Sequence, residues 1–532
     1  MHTPDPVHLR IYQNLLDAIA EEMGSALERT GFSPNIKERR DFSCAIFDAA
    51  GAMIAQAAHI PVHLGAMPLS VEAALAAHPF RPGDVVLLND PWAGGTHLPD
   101  LTVVSAFFEE ETDEAPTFYL AARAHHADVG GAVRGSMALF TDIHQEGLRI
   151  PPVLWVRGGE RVRETHTLLL ANMRQPAERE GDLAAQQNAL RVGEAGLARL
   201  LTGHGRAEVL AYAGHLQDAA ERHVGALLSE IPDGTYSAIE RLDDDGIGDE
   251  PLELHLAVTI DGVRAHFDYT GTAPACAGPL NANRAITLSS IFYALRVLAG
   301  EEIPANSGCL RPVEVTIPPG SILDPAIPAA VAGGNVETSQ RLVDLVFSAL
   351  SPALPGRVPA QSQGTMNNCT LGGLAPIAFS YYETIGGGGG ARAGGAGISG
   401  HHSHLTNTRN TPVEALERAI PVEVASYTVR EGSGGAGEYP GGEGVIRAIR
   451  ARADLDAALL TERRRFAPAG AAGGGPGLPG KNTLRRVDGA EDAIPGKWTG
   501  RLAVGETLVI ETPGGGGYGD PRAENGPTEE SP

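Results

Sequence analysis

Apolar residues recur every fourth position across residues 7–29, at Ile11, Leu15, Ile19, Met23 and Leu27. That spacing predicts an amphipathic helix, stopped by Gly31 and kept from resuming by Pro34. The apolar runs then shorten. FSCAIFD (42–48), VVLLND (85–90), LTVVSAFF (101–108) and TFYLAAR (117–123) have strand length and are bounded by Gly, Pro or Asp. From 182 to 231 the helical period returns as two long helices broken between Gly203 and Gly205. After IPDG (231–234), LELHLAVTIDGVRAHFDYTG reads as strand, Asp-Gly turn, strand: a hairpin. Further helices are expected at 285–298 and 337–350. IGGGGGARAGGAG (385–397) reads as a flexible loop by composition.

Long helices interleaved with strands indicate an α+β (mixed α/β) chain with Gly-rich loops. At 532 residues it exceeds one ordinary core. The change of pattern near Pro232 suggests an N-terminal α/β region, 1–231, and a C-terminal α/β region, 232–520. The polar stretch 521–532 is expected to be a disordered tail. No repeat of solenoid period is visible.

Composition narrows the possible functions. The apolar fraction of 42% and charged fraction of 20% are those of a globular protein. The 67 Gly and 38 Pro imply many turns and close backbone approaches. A net charge of −24 disfavours nucleic acid and anionic membrane surfaces as partners. Cys44, Cys276, Cys309 and Cys369 are far apart and form no C-x-x-C pair. They support neither a disulfide framework nor a zinc finger. The first residues do not read as a signal peptide, and no run reaches the roughly 18 apolar residues of a membrane span. Cytoplasm is the expected compartment.

Two segments carry the candidate chemistry. NDPWAGGTHLPD (89–100) and RAHHADVGG (123–131) each contain His-x-x-Asp, as His97 with Asp100 and His125 with Asp128, at the edge of an expected strand. Imidazole nitrogens and carboxylate oxygens hold divalent ions such as Zn²⁺, Mn²⁺ or Fe²⁺. Such an ion polarises a carbonyl or lowers the pKa of water. His126 and Asp90 are candidates to orient the ligands. The alternative is that each His merely caps a turn, since a chain with 18 His produces the motif by chance. HIPVHLGAMP (59–68) brings two more His nearby in sequence. GGNVETSQ (333–340) places Asn335 and Glu337 at a helix start, where Thr338 and Ser339 would serve as caps. QSQGTMNN (361–368) is amide-rich, suited to the edges of a cyclic imide or to a solvated loop. HHSHLTNTRNTPVEAL (401–416) gathers three His in a second metal site or a surface cluster. There is no G-x-x-x-x-G-K-[ST] phosphate loop and no G-x-S-x-G elbow. Cys44 has no evident base beside it, so a thiol nucleophile is weakly supported.

These segments, with NMRQPAEREGDLAAQ, GPLNAN, YYETIGGG, TNTRNTPVEALE and GSGGAGEYPGGEGVIR, resemble the hydantoinase B/oxoprolinase family over nearly the whole chain. The resemblance implies a B-type subunit of an ATP-dependent enzyme that opens hydantoin, N-methylhydantoin or 5-oxoproline rings (EC 3.5.2). ATP would be used by a separate A-type partner in a hetero-oligomer. Relatives serve as acetone and acetophenone carboxylase subunits, so a ketone carboxylase subunit is the alternative; a non-catalytic scaffold subunit is a third. The implied metal ligands are His97, Asp100, His125 and Asp128, with His125 preferred to His126 for its spacing to Asp128. The metal would be Zn, Mn or Fe. Asp128, His126 and Glu337 are the candidate catalytic groups. Asn335, Gln363 and Asn367 are the candidates for binding substrate.

Overall fold

The computed structural model describes residues 5–57, 59–110, 112–300, 303–373 and 378–521. Nearly all of the 521–532 tail therefore lies outside the described residues. The first helix, Pro6–Thr30, begins where the Asp5 side chain accepts from the Val7 amide at 3.0 Å, with proline in its first turn. Its buried face is Tyr12, Leu16, Ile19, Met23 and Leu27, while Ile11 is exposed. The stripe thus turns by one residue from the expected one in its first half. The cause is the long helix Pro176–His204 packed against it. There Gly193 and Gly196 leave room for Met23 and Ile19, whose atoms lie within 2.6 and 2.9 Å of where a Cβ would stand. That helix stops at Gly205, with φ of +79°, and Arg206–Ser229 continues in a new direction.

The central sheet has seven antiparallel strands in the order Met53–Gln56, Phe42–Asp48, Phe118–His125, Asp100–Phe107, Val85–Leu88, Val153–Arg157, Glu160–Arg161. Every residue of Asp100–Phe107 and Phe118–His125 is buried. Helices cover one face, which collects Leu101, Val103, Phe118, Leu120 and Ala122. The other face presents Val104, Tyr119 and Ala121 to a larger core. Burial on both faces explains why these strands read as unbroken apolar runs. The larger core also contains Ile286, Leu342 and Leu460, so packing runs across the change of pattern at Pro232.

The expected hairpin forms from Leu252–Asp261 and Arg264–Asp268, turning at Gly262. The helix expected at 337–350 is Ser339–Leu350, entered through one wide π turn, Gly334–Thr338. Thr338 does not cap it: its hydroxyl donates to the Leu280 carbonyl at 2.6 Å. Among the described residues, no helix is long and apolar enough to cross a membrane.

The glycine run at 385–397 departs most from expectation. It is packed among other glycine segments rather than loose. Gly442 donates to the Gly389 carbonyl, Gly515 to Gly442 and Gly435 to Gly515, at 2.8–2.9 Å. Backbone lies against backbone: a Cβ on Gly515 would stand 2.0 Å from the Gly389 oxygen. Composition signals freedom, but hydrogen bonds to neighbouring strings of glycine remove it.

Gly515→Ala should therefore destabilise the protein by about 1–3 kcal/mol, the usual cost of overpacking. Gly214→Ala, in a helix with open space around it, should stabilise by roughly 0.5–1 kcal/mol. Urea midpoints of the two variants against wild type measure both. Equal effects would contradict the packing assigned to the glycine segments.

Candidate metal centre

The strands Asp100–Phe107 and Phe118–His125 pair so that Asp100 stands directly opposite His125. Both side chains point to the face away from the long helices, by the period of two along a strand. His97 lies one turn before Asp100, whose amide donates to the His97 carbonyl at 3.2 Å. His97 Nε2 and His125 Nδ1 converge on one oxygen, Asp100 Oδ1, at 3.1 and 3.3 Å. His63 Nε2 and the Thr96 hydroxyl take the other oxygen, at 3.1 and 3.0 Å. His63 is held in turn by Ser43, with Nδ1 2.9 Å from its Oγ.

His97, Asp100 and His125 form the one group of His, Cys, Asp or Glu among the described residues whose ligating atoms all lie within 4.8 Å of one another. Metal–ligand bonds of about 2.0–2.2 Å put the donor atoms of one coordination sphere roughly 3–4.5 Å apart, so the set fits a divalent cation. Electrostatics agree. Burial alone would push the Asp100 carboxyl up, but His97, His63 and the hydrogen bonds from His125 and His63 hold it well below the usual range. Burial also outweighs Asp100 at His63 and His125 and lowers both below an ordinary histidine. An ionised carboxylate beside neutral imidazoles is the protonation state that ligation needs.

The remaining walls come from the second half of the chain. His125 stacks on Tyr382 with ring centroids 4.7 Å apart, and the Arg39 guanidinium lies 4.6 Å from that tyrosine ring. The π turn brings Asn335, whose amide Nδ2 is 3.3 Å from His97 Nε2 and whose Oδ1 has no partner among the described residues. Ile60, Val62, Met366 and Leu405 close the chamber with apolar surface. It has about 20 Å³ open to the centre of a water-sized sphere, enough for one water or ion.

Other expected residues lie elsewhere. Asp128 does not join the three candidate ligands. One of its oxygens accepts from the Gly130 and Arg174 amides, the other from the Gly135 amide, the Arg174 guanidinium and Ser380. His126, one residue on from His125, faces the helices, with Nε2 2.9 Å from Gln186 Oε1. Asp90 organises its own turn through the Trp92 amide and does not touch the ligands. Asn367 donates to Gln363 Oε1 and accepts from Arg464, while Gln363 Nε2 is buried without a partner among the described residues; neither amide lines the chamber. Glu337 lies behind the wall and accepts from the Met366 amide and from Asn368, which in turn accepts from the Tyr382 hydroxyl. Of the three His at 401–404, His404 pairs with Asp344 at 3.1 Å, and no second ligand group forms among the described residues. Burial pushes the Cys44 thiol up, away from any thiolate role. Sequence reasoning gave no role to Tyr382 and singled out His63 only as a neighbour; YYETIGGG and HIPVHLG were the available signals.

Comparison with known proteins follows the same lines. A sequence model of the Hydantoinase B/oxoprolinase family matches residues 5–521. 5-Oxoprolinase 1 of Arabidopsis thaliana is 40% identical across 97% of this chain, which spans only 42% of that protein. Caprolactamase subunit beta of Pseudomonas jessenii is 33% identical, covering 98% of this chain and 92% of its own length. The crystal structure of the ATP-dependent caprolactamase from Pseudomonas jessenii superimposes with a TM-score of 0.90 at 32% identity, over 98% of this chain and 92% of that one. Nucleotide-free acetone carboxylase gives a TM-score of 0.87 over 97% of this chain and 76% of that one; at 17% identity this is a likeness of fold alone. The chain spans about two fifths of the length of the first relatives it matches.

Glu337 offers a test of the dry packing behind the chamber wall. Burial, reinforced by Glu462, pushes its carboxyl up from 4.5 to about 8. The folded protein therefore keeps a proton that the unfolded chain releases. The stability from this group is complete below pH 4.5 and is lost as pH rises toward 8. In Glu337→Gln that loss should vanish. The thermal midpoint of the variant minus that of wild type should rise between pH 5 and pH 8 and level off above that. A difference that stays flat would place Glu337 in water.

Proposed function

Since the chain belongs to the hydantoinase B/oxoprolinase family, we propose that it is the metal-bearing part of an ATP-dependent hydrolase that opens a small cyclic amide. The observation that carries this reading is the convergence of two imidazoles and one buried carboxylate on a small chamber. Its companion is an A-type, ATP-using partner, which activates the ring amide by phosphorylating its oxygen. His97, Asp100 and His125 would hold Zn²⁺, Mn²⁺ or Fe²⁺, which supplies Lewis acidity toward a carbonyl or phosphoryl oxygen and acidifies water.

The chain's own residues do the rest. His63 and Thr96 hold Asp100 Oδ2, which keeps Oδ1 turned toward His97 and His125. Tyr382 fixes the plane of the His125 ring by stacking. Asn335 presents an amide to the chamber, with a donor and an acceptor that match the two sides of a ring amide. Ile60, Val62, Met366 and Leu405 keep bulk water from a labile phosphorylated substrate. Ring opening is favoured over ketone carboxylation because the proteins named for lactam substrates are 33–40% identical to this chain, whereas the acetone carboxylase is 17% identical.

Elemental analysis of the purified chain should find one divalent metal. With its partner and ATP, the complex should consume 5-oxoproline, a hydantoin or caprolactam. Asp100→Asn should lose the metal and at least a thousandfold of the rate, as removal of a term worth several kcal/mol requires. Full activity from a metal-free chain would sink the reading.

His63→Gln should keep the fold and weaken metal affinity by about 10–100-fold, as the loss of an orienting partner does. Asp128→Asn should leave metal content at the wild-type level. Competition with a chelator ranks the two variants, and the reverse order would restore Asp128 as a ligand.

A further inference from the structure

The string GPLNAN (278–283) lies outside the chamber's lining, yet it is bonded to the segments on two of its sides. One side is the π turn. The Gly334 amide donates to the Pro279 carbonyl at 3.0 Å, and the Thr338 hydroxyl donates to the Leu280 carbonyl at 2.6 Å. Asn281 stiffens this stretch, its Nδ2 donating to the carbonyls of Cys276, Gly278 and Ala330, each at 3.0 Å. The other side is the loop that carries His97. There Asn283 Nδ2 reaches three carbonyls: Pro91 at 3.3 Å, Gly95 at 3.2 Å and Thr96 at 3.1 Å.

Asn283 is also the N-cap of the helix Arg284–Ala299, its Oδ1 accepting from the Ile286 amide at 3.2 Å. Capping by itself does not call for asparagine, since Asp and Ser hold a helix start about as well. The loop does call for it. An amide joins an acceptor oxygen to a nitrogen with two hydrogens, and here those hydrogens sit among oxygens from both ends of the 91–96 loop. Buried carbonyls require donors. On the outer side Pro91, Trp92, Ala93 and Gly94 line an open cleft of about 360 Å³, where packing gives them no cover.

The Thr96 hydroxyl and the His97 ring both bond to Asp100, so a shift of the loop moves two of its partners together. On the reading that His97, Asp100 and His125 hold a divalent ion, we propose that Asn283 is the positioning residue for His97. It ties the ligand loop to the segment that also holds the π turn. His97 is thereby set against Asn335, whose Nδ2 lies 3.3 Å from His97 Nε2. Functional groups need placing to within about 0.5 Å, and one short segment does this for side chains from the two halves of the chain.

Chelator competition and amide hydrogen exchange on the full chain test this. Asn283→Ser keeps a helix cap and removes the donor. Asn283→Asp keeps the cap and the shape but turns an oxygen on the three carbonyls. Ser290→Ala is the control: Ser290 is fully buried in the same helix, and its hydroxyl bonds to the Ile286 and Ser339 carbonyls rather than to the loop. Both Asn283 variants should weaken metal affinity about 10–100-fold. In the metal-free chain they should speed exchange across 92–98 about tenfold or more. Ser290→Ala should leave both at wild-type values. The proposal falls if Asn283→Ser binds metal as tightly as wild type, if its exchange across 92–98 is unchanged, or if Ser290→Ala has the same effects. A wild-type chain that takes up no metal would overturn the metal reading; faster exchange across 92–98 in Asn283→Ser alone would then still support its hold on the loop, and unchanged exchange would refute it.

Discussion

One buried negative charge organises this protein. Asp100 is 1% exposed, and an ionised carboxylate out of water is tolerated only when hydrogen-bond donors replace the solvent. Three imidazoles and a threonine hydroxyl do so: Thr96 and His97 from the turn before Asp100, His63 from a short helix and His125 from the opposite strand. Each donor is a separate demand on the fold. The register that sets Asp100 against His125, the turn that returns His97 and the position of Pro61–His63 must all hold together.

The architecture around that charge is rigid where the site needs it to be. The central sheet is covered on both faces, so its strands cannot shift without disturbing two cores at once. The second half of the chain supplies Asn335 on a π turn and Tyr382 at a strand end. That turn is held close by Gly334, where a Cβ would stand 1.9 Å from the Asn281 carbonyl. A π turn is an insertion that re-aims side chains, and it often occurs at functional sites. Here it re-aims Asn335 into the chamber. The glycine segments beyond it pack with backbone alone and form a stiff base beneath the 385–397 region.

A site that is dry and nearly closed suits a step in which water must be admitted singly. The chain is similar to a caprolactamase subunit over almost the whole of both chains.

Much of this was legible in the chain as written. Strand-length apolar runs, the Asp-Gly hairpin and the break at Gly205 are local events, set by side-chain size and backbone preference. The family strings and the His-x-x-Asp at 97–100 were equally plain, and they marked His97, Asp100 and His125. Which of two adjacent histidines faces the chamber was decided by the pleat, which sends His125 to one side of the sheet and His126 to the other. The second His-x-x-Asp looks like the first, but Asp128 lies beyond the strand end, where Arg174 and backbone amides claim it. Gln363 and Asn367 are polar enough to bind substrate, yet they lie outside the chamber's lining, where Asn367 donates to Gln363. His63, Tyr382 and the packing of the glycine segments depend on contacts between residues distant in sequence. Local sequence sets which groups are available, and only the tertiary fold decides which of them meet.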